Sequence, residues 1–277
     1  MTSPIYNPET KQLLHKIKSA LPHALLLEGQ NGAGLYTAAA NLAGLSVAAL
    51  IQPTDIDGHI DTTTKGIIRL SQIHELHDLT KGKTRDTRIF IIDDADRMNV
   101  QAQNAFLKLL EEPVENVHFI LTAHQPHTLL STVLSRLQRV RVAPISTLES
   151  QHLIKKLGVS DPRKAQQLLF IADGKPAELA RLAADEKYFS DQASLMNDAR
   201  TLISGSQAER MIVIAQYYSD RAKSLQLLQS AKTIATFSLT KNPSRDLIAL
   251  VDRLATTYER IQANGSTRLQ LTNFVIQ

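Results

Sequence analysis

The sequence predicts an α/β fold: a parallel sheet with flanking helices, followed by a helical C-terminal half. Three observations predict it. Short apolar runs of strand length alternate with amphipathic helical segments up to about residue 145. A glycine loop, Gly29-Gln-Asn-Gly-Ala-Gly34, joins the first of these runs to a helix. Beyond Pro144 the alternation stops and only capped helical stretches follow.

Taken in order, His23-Ala-Leu-Leu-Leu-Glu28 reads as a buried strand ending at the glycine loop, and the alanine-rich stretch Leu35 to Ala49 as the helix after it. Ile68 to Leu79 reads as a helix, with Leu70, Ile73, Leu76 and Leu79 three residues apart. A basic loop, Lys81 to Arg88, leads into a second strand, Arg88-Ile-Phe-Ile-Ile92, which ends at Asp93. Met98 to Glu112 is an amphipathic helix with Ala102, Ala105, Phe106, Leu109 and Leu110 on one face, stopped by Pro113. Val117 to Leu121 and Arg139 to Val142 supply two further strands.

In the second half, Asp161-Pro162 pairs an N-cap with a proline at the first helical position. Gly174 separates that helix from Ala177 to Ala184. Ser206-Gln-Ala-Glu209 is a capping box opening a helix through Tyr218. Ser244 opens another, with Leu247, Leu250, Val251, Leu254, Tyr258 and Ile261 on one stripe and Asn264-Gly265 at its end.

Composition sets bounds on function. At 277 residues the chain exceeds one ordinary domain. The absence of cysteine excludes disulfides and thiolate zinc sites, and His74 and His77, three apart, read as surface histidines, so no metal is expected. No apolar run reaches membrane-spanning length and Met1 to Asn7 carries no secretory pattern, so a cytoplasmic address is expected. A net charge of +4 is compatible with work near DNA without requiring it.

Three motifs carry chemistry. A working phosphate loop reads G-x-x-x-x-G-K-[ST]: backbone N–H groups cradle phosphates, lysine neutralises the terminal ones, and Ser or Thr holds magnesium. Here Gly29 and Gly34 keep the spacing and Gly32 is added, but Leu35 stands at the lysine position and Tyr36 at the Ser/Thr position, with Thr37 one residue late. Taken alone, the glycines are explained better by a plain strand-to-helix turn. Next, Ile91-Ile-Asp-Asp-Ala-Asp96 is an apolar strand ending in Asp93, the arrangement that holds magnesium in phosphoryl transfer. The following residue is Asp94, where active enzymes usually carry the longer Glu. Finally, Leu134-Ser-Arg-Leu137 offers Arg136, beside Ser135, which either serves a neighbour's nucleotide or is an ordinary surface arginine.

Taken together in this order, and with Asn104-Ala-Phe-Leu-Lys-Leu-Leu-Glu-Glu-Pro113 between them, these segments resemble the clamp-loader branch of the AAA+ family and its N-A-L-L-K-x-L-E-E-P signature. The resemblance covers about residues 20 to 145. It implies an AAA+ domain over 1–145, a helical lid over 146–190 and a helical collar over 191–277. Within the branch the chain looks like the delta-prime type of the bacterial DNA polymerase III loader, which has a degenerate loop and keeps a Ser-Arg-Cys arginine. Leu137 replaces that cysteine, which is not the charge donor. The resemblance implies no ATP hydrolysis and no ATP bound at Gly29, Gly32, Gly34, Leu35, Tyr36, Asp93 and Asp94. It implies Arg136 acting in trans on ATP held by a motor subunit, in a ring with motor and delta subunits that loads a sliding clamp onto primer–template DNA.

Departures from the family pattern are the missing cysteine module over Ile51 to Thr64 and the absence of a sensor arginine after Gly174. The residue at the first sensor position, within Thr122 to His124, stays open. Two other readings compete: a divergent ATPase drawing on another lysine, such as Lys108 or Lys175, and a lone DNA-binding module. The basic residues Lys81, Lys83, Arg85 and Arg88 suit either a solvated loop or a DNA contact.

Overall fold

A computed structural model describes residues 5–61, 66–82 and 85–276. Its path separates into two compact units, Met1–Ala184 and Asp185–Gln277.

The first unit opens with α1 (Pro8–Ser19), whose N-cap is Asn7, its side chain accepting from the Glu9 amide. Then follow β1 (Ala24–Glu28), α2 (Leu35–Ala43), β2 (Val47–Ile51), α3 (Leu70–Thr80), β3 (Arg88–Ile92), α4 (Val100–Glu111) and β4 (Val117–Ala123). The short α5 (Ser131–Leu134) and β5 (Gln138–Arg141) complete the sheet region. Three helices close the unit: α6 (Thr147–Lys156), α7 (Pro162–Ala172) and α8 (Pro176–Ala184).

Among the described residues five strands form one sheet in the order β2-β3-β4-β1-β5, and every adjacent pair is parallel. The expected α/β architecture is therefore observed. Parallel strands need helical crossovers, and these cover both faces. On one face Leu26, Phe90, Ile92, Phe119 and Leu121 pack with Ile73 and Leu76 of α3 and Phe106 and Leu109 of α4. On the other, Leu25, Leu27, Ile91 and Ile120 meet Leu35, Ala38, Ala39 and Leu42 of α2. Alternate residues of each strand thus feed opposite cores.

One expected element is corrected. The helix after the glycine loop stops at Ala43 instead of running to Ala49, and Val47–Ile51 is a strand. Gly44, at φ 58°, closes the helix and donates to the Ala40 carbonyl. Because β2 lies at the sheet edge with Val47 and Leu50 exposed, its side chains lack the burial signature of an inner strand. The other expected elements differ from the observed ones only at their ends; the capping box at Ser206 and Glu209 and the N-caps Asp161 and Ser244 form as read.

The second unit holds α9 (Glu186–Ser204), α10 (Gln207–Ala215), α11 (Arg221–Lys241), α12 (Arg245–Gln262) and α13 (Thr267–Ile276). Ala199, Leu202, Ile214, Leu227, Leu254, Ile261 and Leu271 form its core. Of the stripe expected on α12, Leu254 and Ile261 are buried, while Leu250, Val251 and Tyr258 pack at the margin. Among the described residues no helix is long and apolar enough to cross a membrane.

Candidate functional site

The carboxyl ends of parallel strands are where an open α/β sheet presents its chemistry. The Gly29 loop leaves β1 there and the acidic pair leaves β3, with β4 between the two strands. Gly29 is held by its amide, which donates to the Ala123 carbonyl at 3.2 Å. A Cβ on Gly29 would lie 2.9 Å from the Val142 carbonyl oxygen, so no side chain fits at this position. Gly32 and Gly34 take φ values of 82° and 84°, the left-handed region open to glycine.

Two side chains follow the loop. Leu35 is only 3% exposed and belongs to the core beneath the loop. Tyr36 points outward, 44% exposed. Over the crest of the loop lies the start of α8. The Gly32 carbonyl accepts from the Ala177 and Glu178 amides at 3.0 and 3.3 Å, and a Cβ on Gly32 would meet the Glu178 Cβ at 2.9 Å. Gly174, at φ 72°, seats this helix against Ile145, its carbonyl accepting from the Ile145 amide at 2.8 Å. Lys175 flanks Gly32 from outside the loop.

A cavity of about 160 Å³ lies beside the loop, between Tyr6, Gly34, Thr37, Lys156 and Ala177. The Tyr6 hydroxyl at its edge is buried with no hydrogen-bond partner among the described residues, and burial pushes its pKa up to about 12.

The acidic strand end is internally committed. Asp93 accepts from the Thr122 hydroxyl at 2.7 Å and from the Gln52 side-chain amide at 3.2 Å. Burial raises its pKa, Asp94 adds to the rise, and the Thr122 and Gln52 hydrogen bonds oppose it. Asp94 sits in the left-handed region at φ 52°, its amide donating to the Thr122 oxygen at 2.9 Å. Its carboxylate faces His124 Nε2 at 3.3 Å and Arg97 Nη1 at 3.6 Å. The His124 hydrogen bond lowers the Asp94 pKa against burial, with Arg97 adding to it. For His124 burial works against the charged form, but the Asp94 carboxylate, the Gly29 carbonyl and nearby Asp96 together raise its pKa. His124 Nδ1 lies 3.0 Å from the Gly29 carbonyl oxygen, so both ring nitrogens face acceptors, which suits an imidazolium. Asp96 is a structural clamp: one oxygen accepts from the amides of Gln125 at 2.8 Å and His124 at 3.3 Å.

The group the fold family implies here is magnesium with a nucleotide triphosphate, and the residues present do not fit its phosphate end. No cation projects from the loop, since Leu35 lies in the core. The Asp94 carboxylate is already engaged by His124 and Arg97, and Tyr36 offers a bulky phenol where a small hydroxyl would hold the ion.

Arg136 lies just after α5, on a different part of the surface. Its Nη2 is 2.8 Å from Glu111 Oε1, at the end of α4, and its Nη1 donates to the Thr132 carbonyl at 2.8 Å. Ser135 Oγ stands 3.5 Å from Nη1 and itself donates to Thr132 O at 3.1 Å. The contacts of Arg136 are with Glu111, Thr132 and Ser135, and none is with the cluster around Asp93.

The basic loop is only partly described, and Lys83 lies outside the described residues. Arg88 is spent on the end of α3: Nη1 donates to Leu79 O at 2.9 Å, and Nη2 to the carbonyls of Thr80 and Gly82, each at 3.2 Å. Lys81 pairs with Asp78 at 2.7 Å, and Arg85 is exposed. In the segment where the family carries its cysteine module, Asp55 holds a tight turn, accepting from the Asp57 and His59 amides; Thr62 to Thr64 lie outside the described residues.

Sequence reasoning missed Thr122, His124, Arg97 and Gln52 as partners of the acidic pair, and Glu111 as the partner of Arg136. The polar residues closing the β4 strand were the available signal for the first two.

Comparison with known proteins adds to this geometry. A family model described as DNA polymerase III, delta subunit, matches residues 6–146. The DNA polymerase III subunit delta' of Bacillus subtilis is 27% identical over 208 residues, covering 68% of this chain and 63% of that protein. The tau subunit of the same organism is 25% identical over 259 residues, covering 85% of this chain and 45% of that protein. The chain thus spans less than two thirds of the length of these curated relatives. A DNA polymerase III gamma subunit-related protein from Thermotoga maritima superposes with a TM-score of 0.54 at 19% identity, covering 96% of this chain and 97% of that one, a likeness of fold.

Proposed function

Because the chain belongs to the family described as DNA polymerase III, delta subunit, and resembles its delta' relatives, we propose that it is a non-hydrolysing clamp-loader subunit that supplies Arg136 in trans to ATP held by a neighbouring motor subunit. The observation that carries the reading is Leu35. A working loop needs an ammonium group there, and the side chain present is apolar, 3% exposed and packed into the core. The chain therefore binds no ATP of its own and contributes to turnover only through its neighbour.

On this reading residues 146–190 act as a lid and 191–277 as a collar that joins the motor and delta subunits in a hetero-oligomeric ring. The ring couples hydrolysis to placing a sliding clamp on primer–template DNA. The cytoplasm, where replication proteeds in bacteria, is the matching compartment. The test has two arms. The purified chain should not consume ATP, and the assembled loader carrying Arg136→Ala should turn over slowly. Robust hydrolysis by the lone chain overturns the reading.

One observation favours a second reading, that the chain is a divergent ATPase of the same branch: Lys175 stands next to Gly32. Calorimetric titration of the isolated chain with magnesium–ATP separates the two, since tight binding that is lost in Lys175→Ala supports the ATPase.

A further inference from the structure

Arg136 extends from a tight turn, yet its guanidinium is held on two sides by its own chain. Nη1 donates to the Thr132 carbonyl at 2.8 Å, and Nη2 meets Glu111 Oε1 at 2.8 Å. These contacts use one N–H on each terminal nitrogen. Among the described residues, Nε and the second N–H of each terminal nitrogen make no other contact than the 3.5 Å approach of Nη1 to Ser135 Oγ. An arginine carries five N–H donors in a planar fork, so fixing two, with a third turned toward Ser135 Oγ, leaves two oriented ones.

The pair is half in water: the Arg136 side chain is 37% exposed and Glu111 50%. An ion pair so placed contributes little to folding stability, and solvent screens the charge that Glu111 offsets. What the carboxylate does in this position is remove rotational freedom from a long side chain. Glu111 also ends α4, whose Phe106, Leu109 and Leu110 are buried in the core beneath the sheet. The anchor therefore stands on a helix seated in the core, and Glu111 is the first acid of the Glu111-Glu112-Pro113 run that ends it.

We infer that Glu111 is a positioning residue for Arg136, fixing the guanidinium so that its uncommitted donors meet a phosphate on the adjacent subunit. This rests on the reading of Arg136 given above. A positioned group accelerates a reaction because its orientation is settled before the barrier is reached. On this inference the loss of Glu111 acts through Arg136.

The experiment is a double-mutant cycle on ATP turnover by the loader reconstituted with its motor and delta-type partners, with assembly checked by gel filtration. Arg136→Ala is expected to lower kcat by ~10³-fold. Glu111→Ala should lower kcat roughly tenfold with KM for ATP unchanged, because the nucleotide is bound elsewhere. Glu111→Gln, whose carbonyl can still accept from Nη2, should keep most of the activity. In the Arg136→Ala background Glu111→Ala should have no further effect.

The inference is overturned if Glu111→Ala leaves kcat unchanged or raises it, if Glu111→Gln is as slow as Glu111→Ala, or if Glu111→Ala slows the Arg136→Ala loader as much as the unsubstituted one. If Arg136→Ala turns over normally, the reading of Arg136 itself falls, and this inference with it.

Discussion

His124 bridges the two halves of the strand-end site, with Nε2 3.3 Å from Asp94 Oδ1 and Nδ1 3.0 Å from the Gly29 carbonyl oxygen. One imidazole thus ties the acidic strand end to the glycine loop. Arg97 and Asp96 are the other charges facing this ring and its partner.

The bridge has a pH signature. The folded pKa of His124 is raised, so its contribution to stability is complete below the ordinary histidine value of about 6.5 and is lost as pH rises through the folded value. The folded pKa of Asp94 is lowered, so its contribution is present above about 3.9 and is lost as pH falls through the depressed value. Stability should therefore decline on moving from pH 6 toward pH 9, and His124→Gln should flatten that decline. Urea midpoints measured across this range check it; identical slopes in the two proteins would count against the bridge.

Restoring the loop lysine should not restore a site. Leu35 is buried among Leu25, Leu27 and Ala38, and an ammonium group there must be desolvated without a partner. Leu35→Lys is expected to cost several kcal/mol of stability and to gain no magnesium–ATP binding. Denaturant unfolding and calorimetry report the two outcomes, and a stable variant that binds ATP tightly would contradict both.

The Arg136→Ala chain should fold and assemble like the unsubstituted one. Its surface pair with Glu111 is worth about 0–1 kcal/mol, so a thermal midpoint within a few degrees is expected alongside the loss of turnover. A large fall in that midpoint would mean that the arginine is structural.

Phe106 should matter for folding rather than for turnover. It is fully buried and meets Phe119 edge-on, with ring centroids 5.3 Å apart at 83°. Phe106→Ala is expected to cost about 3–5 kcal/mol, and Phe106→Leu much less. Guanidinium unfolding measures both, and a loss below 1 kcal/mol for the alanine variant would disprove tight packing here.

The sheet was legible because its inner strands are unbroken apolar runs, and Phe90 and Ile120 could sit nowhere but inside. The edge strand was not, because exposed Val47 and Leu50 and two alanines look like the continuation of an alanine-rich helix. That leucine, and not lysine, follows Gly34 is plain from the sequence itself. The partners of the acidic pair are not, since Thr122 and His124 reach Asp93 and Asp94 through neighbouring strands of the sheet, a proximity that no local pattern encodes. The same holds for Glu111 and Arg136, which are brought together only by the packing of α4 and α5.

The two hydrogen bonds that the Gly32 carbonyl receives from the start of α8 are made by main-chain atoms alone. Every amino acid except proline donates them equally, so these two bonds do not depend on which side chains stand at 177 and 178. Drift in the surrounding sequence can erode the chemistry of the loop while leaving its scaffold latched. A proline at 177 would withdraw a donor and loosen the joint where alanine, serine or glutamate would not.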